Sequence, residues 1–221
     1  MKDELKNKIA AQAAGFSENL PAELDGFTLQ KIFAAVEDRF IFFSYVNDAI
    51  HCAATFYFHE ETLEYKVRQR IGLTEFCLTK FFTQDFKKFR ALIDSEILNV
   101  IKNLRGAVEG KPNQFLREKK IYEWAYELPP EWEGFELYIK PSAAVEVTNG
   151  SFIVINYADF SIESDFVIYY NIYGDEFSGE RRIRNAPQVT YTFDAKTLSE
   201  LEEKLAENLV TELREIRLLS E

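Results

Sequence analysis

Leu20-Pro21-Ala22-Glu23-Leu24-Asp25-Gly26-Phe27-Thr28-Leu29 returns 108 residues later as Leu128-Pro129-Pro130-Glu131-Trp132-Glu133-Gly134-Phe135-Glu136-Leu137, with six identities in ten. Working outward, the matches continue in order. Ala34-Ala35-Val36-Glu37 pairs with Ala143-Ala144-Val145-Glu146 at offset 109. Phe40 to Tyr45 pairs with Phe152 to Tyr157 at offset 112. That offset then holds without a gap through Tyr57 and Tyr169, Arg70 and Arg182, and Phe81 and Phe193. The growth in offset falls at Asp38-Arg39 against Val147 to Ser151, where the Asn149-Gly150 pair signals a hairpin turn. A turn absorbs an insertion, whereas a strand interior would lose its facing. The pattern is that of a tandem duplication, with a first α+β repeat over 1–108 and a second, acidic one over 109–221.

Each repeat is expected to open with a helix, at Asp3 to Ala14 and Phe115 to Glu127, stopped by Pro21 or Pro129. About five strands follow, forming a mostly antiparallel sheet. They are Phe27–Glu37, Phe40–Asn47, Ala53–His59, Leu63–Ile71 and Thr74–Phe82, with counterparts at Phe135–Val147, Phe152–Ala158, Phe166–Ile172, Phe177–Arg184 and Gln188–Phe193. The alternation of Lys66, Arg68 and Arg70 puts one face of its strand in water. A long helix closes each repeat. Phe86, Phe89, Ile93, Ile97, Ile101 and Leu104 recur at helical spacing, and Leu198, Leu201, Leu205, Leu209, Leu213 and Ile216 occupy the aligned positions. Thr83 or Asp85, and Asp194 or Thr197, are the expected caps. The fold class is α+β, a tandem helix–antiparallel sheet–long helix unit. The boundary falls in the Gly- and Pro-bearing run Arg105 to Asn113.

The whole chain of 221 residues carries 37 Asp+Glu against 26 Lys+Arg, a net charge of −11. Residues 1–108 contribute 15 acids and 14 bases, residues 109–221 contribute 22 and 12, so the acidity belongs to the second repeat. Phosphate repulsion argues against nucleic acid as partner. The 47% hydrophobic and 15% aromatic content excludes a disordered chain. The N-terminal stretch lacks the apolar core of a secretory signal, no window approaches a membrane span, and the two cysteines lie 25 residues apart without a CxxC. A cytoplasmic, globular protein is expected.

Signatures for nucleotide binding, serine hydrolysis, zinc proteolysis and calcium loops are missing from the sequence. His51 and His59 would lie too far apart on one strand to share a metal, and Cys52 beside His51 would point to the opposite face. No catalytic residue, metal site or cofactor is assigned, and the reading leans away from an enzyme. Glu64 with Arg70, and Glu176 with Arg182, recur in both repeats and suggest a cross-strand ion pair. Arg182 and Arg184 share a strand face and form a candidate anion site. Trp124 and Trp132, with Glu200, Glu203 and Glu207 on the last helix, form a candidate partner surface. These features favour a non-catalytic cytosolic protein-binding role, of inhibitor or immunity type, toward another and basic protein. The alternative is a small-molecule binder or an enzyme with an aromatic-lined pocket between sheet and helix. A homo-oligomer is a third reading.

Overall fold

In the computed structural model the described residues are 2–109, 113–148 and 150–221, with side chains described for all but 106–109. The chain is α+β and divides into two compact units, Met1–Arg105 and Gly106–Glu221. Unit 1 contains α1 (Asp3–Gln12), β1 (Glu23–Leu24), β2 (Phe27–Val36), β3 (Arg39–Asn47), β4 (Cys52–His59), β5 (Glu64–Ile71) and β6 (Thr74–Cys77). The long helix α2 (Phe86–Glu109) follows. Its six-stranded antiparallel sheet runs in sequence order. Unit 2 contains α3 (Gln114–Glu118), β7 (Glu131–Trp132), β8 (Phe135–Ile139), β9 (Val145–Glu146), β10 (Ser151–Asp159), β11 (Ser164–Asn171), β12 (Glu176–Ile183) and β13 (Ala186–Ala195). The long C-terminal helix α4 (Leu198–Ser220) ends the chain. Its sheet has seven antiparallel strands. No helix among the described residues is long and apolar enough to cross a membrane.

The Phe-, Tyr-, Val- and Ile-rich runs form the central strands, as β propensity dictates. In unit 1 the face toward α2 is an aromatic core. Phe16 sits edge-on to Phe42, Phe43, Phe86 and Phe89 at 5.4 to 6.1 Å between ring centroids. In unit 2 the same task falls to aliphatic side chains, with Leu201, Leu205, Leu209, Leu213 and Ile216 of α4 buried against β11–β13. Asp85 caps α2 by accepting from the backbone N–H of Lys87 at 2.8 Å. Thr197 caps α4 in a reciprocal box with Glu200.

The two ladders share their register. Arg39 pairs with His59 and Asn47 with Cys52, with an irregularity between Ile41 and Phe43. Ser151 pairs with Asn171 and Asp159 with Ser164, with the irregularity between Ile153 and Ile155. Tyr45 donates its hydroxyl to the Pro21 carbonyl at 2.7 Å, and Tyr157 donates to Pro129 at 2.7 Å. Each short first hairpin turns through a left-handed glycine, Gly26 at φ +81° and Gly134 at φ +80°.

Three expectations need correction. Each sheet exceeds about five strands, because the chain ahead of Gly26 and of Gly134 pairs as a two-residue strand. In addition, the Pro141–Ala143 turn splits the counterpart of β2 into β8 and β9. The helix foreseen over Phe115 to Glu127 stops at Glu118. Lys120 takes φ +62°, Ile121 N–H bonds Leu116 O at 2.9 Å, and both apolar side chains are fully buried. This closure, a left-handed residue followed by an apolar contact, ends the helix so that Ile121 can enter the core. Glu64 and Arg70 stand at opposite ends of β5, and Glu64 pairs with Lys66 at 3.2 Å instead. Glu176 pairs with Lys196. The expected Asn149-Gly150 turn falls partly outside the described residues. So does part of the Arg105 to Asn113 boundary run, although α2 extends through Glu109.

Candidate functional site

The alternation along β5 decides which side chains share a face. Gln69 turns toward α2 and donates to the Val100 carbonyl at 3.1 Å. Arg68 and Arg70 therefore lie on the other face, with Thr55 and Ala53 of β4. Ala53 stands directly across from Arg70, and Thr55 across from Arg68. Glu75 of β6 faces Arg70 from the other side. In unit 2 the same rungs carry Asp165 across from Arg182 and Val167 across from Glu180, with Pro187 beyond.

In unit 2 this position is filled. Arg182 Nη1 donates to both Asp165 carboxylate oxygens at 3.0 and 2.9 Å, and Nη2 donates to Glu180 at 3.1 Å. Asn156 adds its side-chain N–H to Asp165 at 3.2 Å. The pair is almost sealed, with side-chain exposures of 7% and 1%. Burial is the largest influence on Asp165 and pushes its carboxyl up to about 6, against the pull of Arg182 and Asn156. At neutral pH the carboxyl is ionised and paired.

In unit 1 the same place is a hollow. Val46, Ala53, Thr55, Arg68, Arg70 and Glu75 line a half-open cradle of about 230 Å³. Ala53 is too short to reach Arg70. The Glu75 carboxylate is engaged by Arg68 Nη1 at 2.7 Å. Arg70 has no ion-pair partner among the described residues. Ser44 donates to Thr55 Oγ1 at 3.0 Å, so the Thr55 proton remains available to a guest. Two guanidinium groups and one carboxylate leave the cradle with one positive charge in excess. Drug-sized ligand sites run from about 300 to 1,000 Å³, so this one suits a small acid or a single side chain.

The sequence-derived candidates lie elsewhere. Arg182 is engaged as described, and Arg184 donates through Nε to the Ser220 carbonyl at 3.0 Å, so the two guanidinium groups have separate partners. Trp124 is half-buried, stacks on Tyr126 at 5.6 Å and donates its indole N–H to Glu202. Trp132 packs against the core of unit 2. Glu200 is occupied by the helix cap, while Glu203 and Glu207 are exposed on α4. Cys52 is buried, and Cys77 lies 3.3 Å from the Tyr57 hydroxyl.

His51 lies in the left-handed turn before β4, and His59 ends that strand. His59 Nε2 meets Asp38 Oδ2 at 2.9 Å, with Thr62 Oγ1 3.2 Å from Nδ1. The possible ligand atoms of Asp38, His59 and Glu61 lie within 4.8 Å of one another. The Glu60 N–H to Asp38 carbonyl bond, at 2.8 Å, ties these two turns together and accounts for the gathering structurally.

Sequence reasoning passed over Arg68, Thr55, Ala53 and Asp165. A signal existed: at offset 112, Arg70 aligns with Arg182 while Ala53 aligns with Asp165 and Arg68 with Glu180. One cation is retained and two neighbouring positions change charge. Comparisons with protein-family models, with curated proteins and with solved structures return no match to this chain.

Proposed function

We propose that the chain is a non-catalytic binding protein built by tandem duplication of one α+β unit, in which unit 1 takes an anionic group in the cradle on β3–β6. The observation that carries this reading is Arg70, without an ion-pair partner among the described residues, beside a 230 Å³ hollow. On the same rung of unit 2, Arg182 is fully engaged. The shared register, the paired tyrosine contacts and the matched glycine turns support the duplication. A binding role rather than catalysis is supported by the side chains themselves. The Thr55 oxygen accepts from Ser44 instead of resting on a base, and Glu75 is held by Arg68. The test is a two-dimensional NMR titration of the isotope-labelled chain with monovalent anions of increasing size. Saturable shifts at Thr55, Arg68 and Arg70 are expected. Shifts absent there, or spread evenly over all basic residues, would refute the reading.

A protein partner for unit 2 is a second proposal. Glu203 and Glu207 lie one turn apart on the exposed face of α4, in the unit that carries the excess acidity. Such a surface steers a basic partner and weakens as salt rises. Retention of a partner that ignores salt would contradict it.

A further inference from the structure

We propose that the occupant of the unit 1 cradle is a single carboxylate on a short stem, seated where Asp165 places its own carboxylate in unit 2. The inference rests on the anion-binding reading above and specifies its ligand class. Three observations carry it.

The first is positional. Asp165 reaches Arg182 from the residue directly across the ladder, and the corresponding residue in unit 1 is Ala53, directly across from Arg70. Replacing Asp by Ala on that rung removes a carboxylate-sized group and leaves the cation with a space in front of it. The filled unit thus serves as a template for the open one, with the guest supplying the missing carboxylate from outside.

The second is the donor set. In unit 2 the carboxylate receives Arg182 and the Asn156 amide. Asn156 aligns with Ser44, which does not line the cradle. Instead Ser44 donates to Thr55, which does line it and replaces the apolar Val167. The hydroxyl proton of Thr55 is thereby left to play the part of the Asn156 amide. A planar guanidinium with an adjacent hydroxyl matches the two oxygens of a carboxylate.

The third is charge. Arg68 and Arg70 against Glu75 leave one positive charge, which a monocarboxylate balances. Inorganic phosphate carries about 1.5 negative charges at neutral pH, and its second charge would face the Glu75 carboxylate, which is 43% exposed at the rim. The stem would lie over Ala53 and Val46, the apolar part of the lining.

The experiment titrates the full isotope-labelled chain with propionate, with N-acetyl-glutamate amide and with inorganic phosphate, reading amide and arginine side-chain NMR signals. The amide derivative presents a glutamate side chain as a peptide would, and propionate presents the free acid. The expected result is saturable shifts at Thr55, Arg68 and Arg70 with both carboxylates, and at least tenfold weaker binding of phosphate. Tighter binding of the amide derivative assigns the carboxylate to a peptide; tighter binding of propionate assigns it to a free acid; each supports the proposal.

Ala53→Asp, which supplies the carboxylate internally, should remain folded by the same spectra and lose at least tenfold in affinity for both. Arg70→Gln should do the same. If phosphate binds and the carboxylates do not, the anion site stands and the carboxylate assignment is overturned. If no anion binds, both fall. If Ala53→Asp folds and binds carboxylates as tightly as the parent, the seat is not where Asp165 places it.

Discussion

Arg70 and Arg182 occupy the same rung of two ladders 112 residues apart, and their surroundings differ in kind. Arg182 is sealed with Asp165, Asn156 and Glu180. Arg70 faces a hollow. The strands around them nonetheless keep one register and one irregularity in the β3–β4 and β10–β11 pairings. The comparison teaches that the helix-covered face holds each sheet, leaving the opposite face free to vary. A buried ion pair adds little net stability, because desolvation offsets most of its attraction. Unit 1 can therefore dispense with the pair and keep its fold.

Substitutions at matched positions should sharpen that contrast. Phe89 and Leu201 are aligned, and both are fully buried under their sheets. Phe89→Ala should destabilise unit 1 by about 3–5 kcal/mol and Leu201→Ala should destabilise unit 2 by about 2–5 kcal/mol. Urea unfolding followed by residue-resolved NMR would assign each loss to its unit. Equal losses in both units for either single substitution would show that the units unfold together.

Asp165→Ala strands Arg182 in a sealed site and should cost unit 2 about 3–5 kcal/mol, whereas Arg70→Gln, which removes a cation without an ion-pair partner among the described residues, should cost unit 1 less than about 1 kcal/mol. Comparable costs would break the comparison. Thr197→Ala removes one half of the α4 capping box and should cost about 0.5–2 kcal/mol, measured by the shift in urea midpoint.

A pH dependence at the same pair is a further test. Asp165 binds its proton more tightly in the folded chain, with its carboxyl pushed up to about 6. Between the unfolded value near 4 and that folded value, the native state holds more protons, so this group's contribution to stability falls as pH rises. Relative to Asp165→Asn, which does not titrate, the parent should lose stability from pH 4 to pH 6 and then level off. A difference that grows in the parent's favour over that range would contradict the burial-dominated environment.

The legibility of this structure followed the physics of each feature. The order of strands and the closing helices were written in spacing: Phe86, Phe89 and Ile93 against Leu198, Leu201 and Leu205 keep one apolar stripe through a complete change of side chains. The early end of α3 was hidden, because Tyr122 to Leu128 has helical composition and only the core position of Ile121 forces the turn at Lys120. The pairing of Arg182 was hidden for a different reason. Its partner lies 17 residues upstream, and only the register of β11 against β12 brings the two together. Local spacing suggested Glu176, six residues along the same strand, which the pleat carries to its far end. The cradle was legible only as a difference between the two units, visible once the ladders showed that Ala53 and Asp165 occupy matching rungs.

The central claim is that the hollow at Arg70 is the open form of the site that Asp165 fills. A crystal structure of Ala53→Asp tests it most directly. The account predicts the introduced carboxylate within hydrogen-bond distance of the Arg70 guanidinium, at about the 2.9–3.0 Å seen for Asp165 and Arg182, with the hollow closed and the strands unmoved. A carboxylate turned to solvent, with Arg70 unpaired and the hollow still open, would contradict it.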